Sequence, residues 1–163
     1  MAGSQHDLDL AVGTLPWVDN CFDAIVAQQV IEHLELKREL IPLLGEMRRC
    51  LKRGGEIWLC CPDMAKICRS YERDRGLSLW EDTLNRYPEN KWGKEPIQHY
   101  INMIFNQDGE HRNLLDFELL KWALSEAGID QCERVSEADL LKRFPGWPER
   151  FDDAQSVYVR ATT

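Results

Sequence analysis

The sequence has no uninterrupted apolar run of about eighteen residues, the minimum for a helix that spans a membrane. Its first residues also lack the basic stretch and apolar core of a secretory signal peptide. These absences predict a protein with no membrane partner and a cytoplasmic location.

The sequence has fewer basic than acidic residues. Twenty Lys and Arg residues stand against 28 Asp and Glu residues, which gives a net charge of −8. A surface with this balance does not attract nucleic acid or an anionic membrane in general, although a local basic patch is still compatible with it. We therefore predict no nucleic-acid partner.

The six cysteines include no C-x-x-C pair, the usual spacing of zinc and redox sites. Most of them fall inside apolar strand or helix patterns, where a free thiol behaves as a small hydrophobic side chain. Free buried thiols in a reducing compartment are therefore favoured over a disulfide framework or a metal cluster. The cysteines are Cys21, Cys50, Cys60, Cys61, Cys68 and Cys132.

What is present is a strand-helix-strand pattern. Two short apolar runs, Phe22 to Val30 and Glu56 to Cys61, flank a segment with helical spacing that has Pro42 in its first turn and ends at Gly54-Gly55. Runs that are apolar throughout are typical of parallel strands buried on both faces. With 163 residues and 44% hydrophobic residues, the chain suits one α/β domain.

A family resemblance is carried by LPWVDNCFDAIVAQQVIEHL, at residues 15–34, and by LKRGGEIWLCCPD, at residues 51–63. In this order and spacing they resemble the second half of a class I S-adenosylmethionine-dependent methyltransferase of the type 11 kind. The resemblance covers residues 9–63 well and residues 109–161 loosely. It implies methyl transfer from S-adenosylmethionine.

In that family a glycine-rich turn precedes this region and wraps the methionine part of the cofactor, but no such G-x-G turn lies before Leu15. The resemblance thus implies a truncated Rossmann-like sheet, mostly parallel with a terminal antiparallel pair and with helices on both faces. We expect a single domain over residues 1–163 without the cofactor-binding front half.

The resemblance also implies cofactor contacts. The alternating segment Asp7 to Val12 is the only candidate strand before Phe22, and Asp9 and Leu10 in it match the family's adenine-binding positions. Asp9 as a simple cap is an equal alternative. Ala27 and Gln28, at the end of the next strand, correspond to residues beside the cofactor's methionine part.

Glu32 and His33 follow that strand directly. In ubiquinone-pathway O-methyltransferases, which carry a related E-x-x-E-H pattern, these positions hold a divalent cation, but here Gln29 stands in place of the first glutamate. Because hard cations depend on charged oxygens, the substitution favours no metal. The alternative to metal binding is that Glu32 and His33 cap the next turn. For His33 we predict a catalytic role.

After the second strand, residues 64–108 read as an insertion or lid that contains Trp80, Tyr87 and Trp92. The segment that follows, HRNLLDFELLKWALSEAGI, also resembles the family and predicts a helix over Phe117 to Ala127 capped by Asp116.

His111 is our candidate general base near neutral pH, with a surface histidine as the alternative. We further predict substrate contacts by Gln29, His99 and Arg112. Residues 131–137 and Ser156 to Ala161 predict two final strands joined by a proline-rich loop.

Two functions follow from this. The first is a methyltransferase that uses S-adenosylmethionine on a small-molecule acceptor. The second is a non-catalytic remnant that forms a homo-oligomer, or pairs with a separate front-half chain, through an open sheet edge. The missing glycine-rich turn favours the second for cofactor binding, whereas Gln28 to His33 indicate descent from an active enzyme.

Overall fold

A computed structural model of the chain describes residues 7–89 and 94–163. Trp92 of the predicted lid, and the first six residues, where no signal peptide was predicted, lie outside the described residues.

Four strands form one sheet: β1 (Phe22–Gln28), β2 (Leu51–Pro62), β3 (Gln131–Val135) and β4 (Ser156–Thr162). Their order is β1-β2-β4-β3. β1 and β2 run parallel, but β4 runs antiparallel to both β2 and β3. The predicted mostly parallel sheet is therefore wrong, because a single reversed strand between β2 and β3 makes two of the three pairings antiparallel.

The predicted parallel pair is confirmed. Ala24 pairs with Glu56 and Gln28 pairs with Cys60, so β1 and β2 run in the same direction as neighbours. Helix α1 (Ile41–Cys50) joins them and has Pro42 in its first turn, as predicted. A π-helical turn over Leu36–Leu40 precedes it.

The start of β2 was predicted too late. Helix α1 ends at Cys50, and β2 already begins at Leu51, so Gly54 and Gly55 lie inside the strand. Gly54 has a φ of +75°, and a Cβ atom on Gly55 would come within 2.8 Å of the Lys52 carbonyl oxygen. The glycines thus allow a strand irregularity opposite Phe22 and Ala24 rather than ending the helix.

The main core lies on one face of the sheet. There α1 and α5 (Phe117–Glu126) cover the inward side chains of β2 and β4, among them Ile57, Leu59 and Val159, each at most 1% exposed. On the opposite face, Trp58 packs edge-on against Phe144, which follows α6 (Glu137–Arg143). Helices on both faces of the sheet agree with the prediction.

Residues 64–108 form three helices: α2 (Met64–Asp74), α3 (Leu77–Arg86) and α4 (Ile97–Asn106). They share a second apolar cluster made of Ile67, Leu79, Trp80, Tyr100 and Ile101. The single domain over residues 1–163, and the role of this segment as a lid, stay predictions.

The predicted strand from Asp7 to Val12 is wrong. Leu10–Val12 form a 3-10 turn, and the Asp9 carboxylate caps it by accepting a hydrogen bond from the Ala11 N–H at 3.0 Å. The local side chain-to-backbone bond stabilises a turn, which is why a short alternating pattern did not become a strand.

Helix α6 was missed, although Ser136-Glu137-Ala138-Asp139 is a capping-box pattern. The Ser136 hydroxyl accepts from the Asp139 N–H, and the Asp139 carboxylate accepts from the Ser136 N–H. The helix is short and a proline-rich stretch follows it, so we predicted a loop in this region instead.

Replacing Ser136 by alanine is expected to lower the free energy of unfolding by about 1 kcal/mol, within the usual range for N-cap serines. The measurement is urea denaturation followed by circular dichroism. Ser125→Ala is the matched control, because Ser125 lies inside α5 and bonds only to the exposed Asp130. Equal losses in both variants would contradict the cap.

Every helix within residues 7–89 and 94–163 falls short of the length and apolar character that a membrane crossing requires.

Candidate functional site

Buried polar side chains gather where the parallel strands β1 and β2 end. Within residues 7–89 and 94–163, seven polar or charged residues are buried, and five of them lie at or after the carboxyl ends of β1, β2 and β3, or at or just before the start of β4: Glu32, Asp63, Glu137, Asp152 and Ser156. Open α/β sheets place ligand sites at this end. The candidate site is therefore at the carboxyl ends of the parallel strands.

An apolar cleft of about 720 Å³ lies along β1. Within the described sheet β1 pairs only with β2, so its other edge faces this cleft. Three of the four predicted cofactor residues, Leu10, Ala27 and Gln28, line it. The fourth, Asp9, caps the adjoining turn.

The walls come from distant segments. Leu10 and Trp17, which pack against the main core, line the cleft together with Trp147 and Arg150 from the loop after α6. The Trp147 indole N–H donates to the Gln28 side-chain oxygen at 2.5 Å. This hydrogen bond holds the loop after α6 against the end of β1.

The adjacent amides Gln28 and Gln29 have different environments. The backbone of Gln29 is left-handed, with a φ of +54°. Its amide nitrogen donates to the Ser156 hydroxyl at 3.3 Å and reaches the Asp152 carboxylate at 3.5 Å. The Gln28 amide nitrogen is buried and has no hydrogen-bond partner in the described part of the chain. Gln28 therefore offers a free donor beside the cleft, whereas Gln29 is used within the protein.

Asp152 organises a polar network beneath the loop. Its side chain is fully buried and accepts from the Tyr158 hydroxyl at 2.5 Å and from Nε of Arg150 at 2.9 Å. Burial raises the pKa of the Tyr158 hydroxyl well above its usual value, and the nearby Cys60 and Asp152 act in the same direction. Tyr158 is therefore a neutral donor to the carboxylate.

A second cluster joins Glu32, His33 and His111. Glu32 and His33 lie on a 3-10 turn after β1. The backbone N–H groups of Arg112 and Asn113 both donate to the Glu32 carbonyl oxygen, at 2.8 and 3.1 Å. This clamp places the His111 ring 4.8 Å from the His33 ring, centroid to centroid, and its Nε2 4.0 Å from the Glu32 carboxylate.

Burial shifts the pKa values of Glu32 and His111. Desolvation raises the pKa of Glu32 to about 7 and lowers the pKa of His111. Both side chains are thus drawn towards their neutral forms near neutral pH. Two of our predicted catalytic residues, His33 and His111, are together here, with Glu32 as their neighbour.

The remaining predicted substrate residues are at the surface. Arg112 forms a two-pronged ion pair with Glu39, with N–O distances of 3.0 and 3.2 Å. His99 is exposed on α4. The structure thus brings together Leu10, Ala27 and Gln28 at the cleft and His33 with His111 beside Glu32, which leaves the roles of Arg112 and His99 as predictions.

Sequence reasoning missed Asp152, Arg150 and Trp147. All three lie in the stretch that we predicted as a proline-rich loop. Alternating apolar residues in SVYVRA indicated β4 but gave no sign that its Tyr158 would need a buried acceptor. The hydrogen bond from Tyr158 to Asp152 is seen only in the folded structure.

All six cysteines are free thiols in the structure. Cys50, Cys60 and Cys61 are buried, as expected, while Cys68 is exposed. Burial raises the pKa of the Cys60 thiol to about 12, so this thiol is not a nucleophile at neutral pH.

Comparison with protein families identifies the first third of the chain. Residues 4–59 match the model described as a methyltransferase domain. This segment is similar to part of a class I S-adenosylmethionine-dependent methyltransferase domain. The matched residues include β1, α1 and most of β2, which are the elements that carry the predicted resemblance.

Solved structures share the fold of this chain. A SAM-dependent methyltransferase from Archaeoglobus fulgidus is 15% identical with a TM-score of 0.55, and the match covers 97% of this chain and 66% of that one. An S-adenosylmethionine-dependent methyltransferase from Mesorhizobium loti is 15% identical with a TM-score of 0.51, and the match covers 96% and 67%. This domain is therefore partial relative to both structures.

Among curated proteins, the human protein named probable tRNA methyltransferase 9B is 34% identical over 70 residues. Those residues are 43% of this chain and 15% of the human protein. The bovine protein of the same name also matches at 34% identity, over 16% of its length. The chain thus matches only a small part of the length of these relatives.

Proposed function

We propose that this chain is the acceptor-side part of an S-adenosylmethionine-dependent methyltransferase that acts on a small molecule. The observation that carries the proposal is the cleft at the free edge of β1, which brings Leu10, Ala27 and Gln28 together. Its volume of about 720 Å³ lies in the range of small-molecule sites.

The residues at the cleft fit the cofactor. Leu10 and Trp17 give an apolar wall for a flat ring, and Gln28 has a buried amide nitrogen without a hydrogen-bond partner among the described residues. Such an orphaned donor is costly unless an acceptor meets it, and the hydroxyl or carboxylate oxygens of the cofactor are acceptors.

When bound, S-adenosylmethionine would supply a methyl group on a positively charged sulfur. The acceptor's nucleophile would take the methyl group in line, and the sulfur would leave as a neutral thioether. The contribution of this chain is then to position the reacting groups and to exclude water from them. Trp147, held by its hydrogen bond to Gln28, closes one side of the cleft, and Arg150 beside it provides a cation that Asp152 orients.

The nature of the acceptor has one rival. The relatives are named as probable tRNA methyltransferases, which makes tRNA the alternative acceptor. The net charge of −8 supports the small molecule, because tRNA binding depends on basic surface that neutralises phosphates. Filter binding of labelled tRNA at low and high salt tests this: salt-sensitive micromolar retention would overturn the small-molecule proposal.

Cofactor binding is tested by calorimetric titration with S-adenosylhomocysteine, the product form of the cofactor. Leu10→Glu is expected to weaken binding by about tenfold or more, because a carboxylate in an apolar wall loses its hydration. Leu114→Glu is the matched control, since Leu114 is 44% exposed and does not line the cleft. Circular dichroism checks that both variants fold. Equal affinities of the two variants would remove the cleft as the cofactor site.

A second candidate function rests on the same edge. β1 has one strand neighbour in the described sheet, and an unpaired edge beside apolar surface invites a further strand. The chain would then act as a non-catalytic module that forms a homo-oligomer or pairs with a separate front-half polypeptide.

Sedimentation equilibrium separates these outcomes. A monomer that binds S-adenosylhomocysteine supports the enzyme, and a dimer that does not bind it supports the module. A monomer that binds only after a front-half methyltransferase polypeptide is added supports pairing in trans.

A further inference from the structure

We propose that Glu32, His33 and His111 form a binding site for a divalent transition-metal ion, with two imidazoles and one carboxylate as ligands. The site is distinct from the cleft along β1 and does not depend on the proposed methyl transfer. Its ligands come from two parts of the chain that are separated by 78 positions in the sequence, from His33 to His111.

The three side chains already converge. One ligand atom from each lies within 4.8 Å of the other two. Nε2 of His111 is 4.0 Å from the Glu32 carboxylate, too far for a hydrogen bond between them. Zinc-ligand bonds of about 2.0–2.2 Å separate tetrahedral ligands by about 3.3–3.6 Å, so small side-chain movements would close the triangle.

Three buried side-chain atoms of Glu32 and His111 have no hydrogen-bond partners among the described residues. Both carboxylate oxygens of Glu32 and Nε2 of His111 are buried and have no hydrogen-bond partner anywhere in residues 7–89 and 94–163. Glu32 is 1% exposed. A carboxylate and an imidazole buried in this way cost stability unless something binds them, and a cation between them satisfies all three atoms together.

The outer contact of His111 prepares it as a ligand. Its Nδ1 lies 2.8 Å from the Ile104 carbonyl oxygen at the end of α4. A carbonyl can only accept, so Nδ1 carries the proton and Nε2 presents a lone pair towards Glu32 and His33. Metal-binding histidines commonly have this second hydrogen bond, which fixes both the tautomer and the ring.

The ligand chemistry selects the type of metal. Two imidazoles with one carboxylate suit zinc, cobalt, iron or nickel, whereas magnesium and calcium prefer sites made of oxygen. Three protein ligands also leave coordination positions open for water or for an oxygen of a bound molecule. A lone pair aimed into the cluster fits a ligand better than a base for a substrate in the cleft, so this assignment replaces the general-base role predicted for His111.

The sequence motif alone pointed away from this site. Gln29 stands at the position of the first carboxylate in the related pattern, and the structure directs its amide to Ser156 and Asp152 instead. The third ligand, His111, comes from a turn that only the backbone clamp on Glu32 brings near. The proposed site therefore has a different ligand set and a different preferred metal.

The test uses the whole chain, freed of metal by chelation, with Zn²⁺ alone as the titrant in a calorimeter. We expect one equivalent to bind, and Glu32→Gln and His111→Gln each to weaken binding by at least about 100-fold, the upper limit for loss of an outer-shell partner alone. Glu110→Gln is the matched control, because Glu110 is exposed and adjacent to His111 in the sequence. It should bind Zn²⁺ like the unmodified chain.

Two further measurements exclude trivial results. Glu32→Gln should leave the metal-free melting temperature unchanged or higher, because it removes a buried carboxylate without a partner, so lost binding would not reflect lost folding. Co²⁺ in place of Zn²⁺ should give the visible spectrum of nitrogen and oxygen ligation. A thiolate charge-transfer band would place the metal on cysteines, and this band, or Zn²⁺ affinity unchanged in Glu32→Gln, would overturn the proposal.

Discussion

Replacing Asp152 by asparagine is expected to lower the free energy of unfolding by about 2–4 kcal/mol, in the range found when one member of a buried charged network is removed. The asparagine keeps the shape and can still accept from the Tyr158 hydroxyl. Its NH₂ group, however, faces Nε of Arg150 and the Gln29 amide, which are both donors. Donor would meet donor in a fully buried position.

Urea denaturation with fluorescence detection measures this effect. Asp108→Asn makes the same chemical change at an exposed, left-handed position that asparagine tolerates, and it should change stability by less than about 0.5 kcal/mol. If both variants unfold at the same urea concentration, the Asp152 network does not stabilise the loop over the sheet.

The same substitution should also alter the cleft. Arg150 lines the cleft and takes its position from Asp152, and Trp147 of the same loop is bonded to Gln28. A loosened loop would weaken S-adenosylhomocysteine binding even under conditions where the variant stays folded. The network therefore connects the stability of the fold to the proposed cofactor site.

The second large effect is expected for Leu59→Ala, which should destabilise the protein by about 2–5 kcal/mol. Leu59 is 1% exposed in the central strand β2, where it pairs with Ala27 of β1 and Val159 of β4. Truncation would leave a cavity between the sheet and α1 that close-packed neighbours on both sides cannot fill.

Thermal denaturation followed by circular dichroism provides the measurement for this variant. Leu114→Ala is the control, because Leu114 is 44% exposed and should cost less than about 0.5 kcal/mol on truncation. Equal melting temperatures would mean that β2 is not the centre of the core, and the parallel pairing of β1 with β2 would then need a new explanation.

Much of the fold could be predicted because the signals are local. Apolar runs of strand length predicted β1 and the second half of β2, and helical spacing with Pro42 predicted α1. Asp116 followed by an apolar stripe gave α5, which begins at Phe117 as predicted. In each case the residues that decide the structure are close together in the sequence.

The sheet was less predictable. Each strand was found, but the position of β4 between β2 and β3 depends on which edges the returning chain can reach, and this changed a mostly parallel sheet into a mostly antiparallel one. The turn at Leu10–Val12 shows the converse, because one side-chain bond from Asp9 outweighed an alternating pattern of six residues.

The sequence by itself determined the resemblance to methyltransferases and the parallel pair, because periodicity and turn residues act over short distances. Only the tertiary structure decided which of those residues meet. Gln29 went to Ser156 and Asp152, and His111 came to Glu32. The reason is physical: a buried polar atom takes whichever partner folding brings within about 3 Å, and such partners are often remote in the chain.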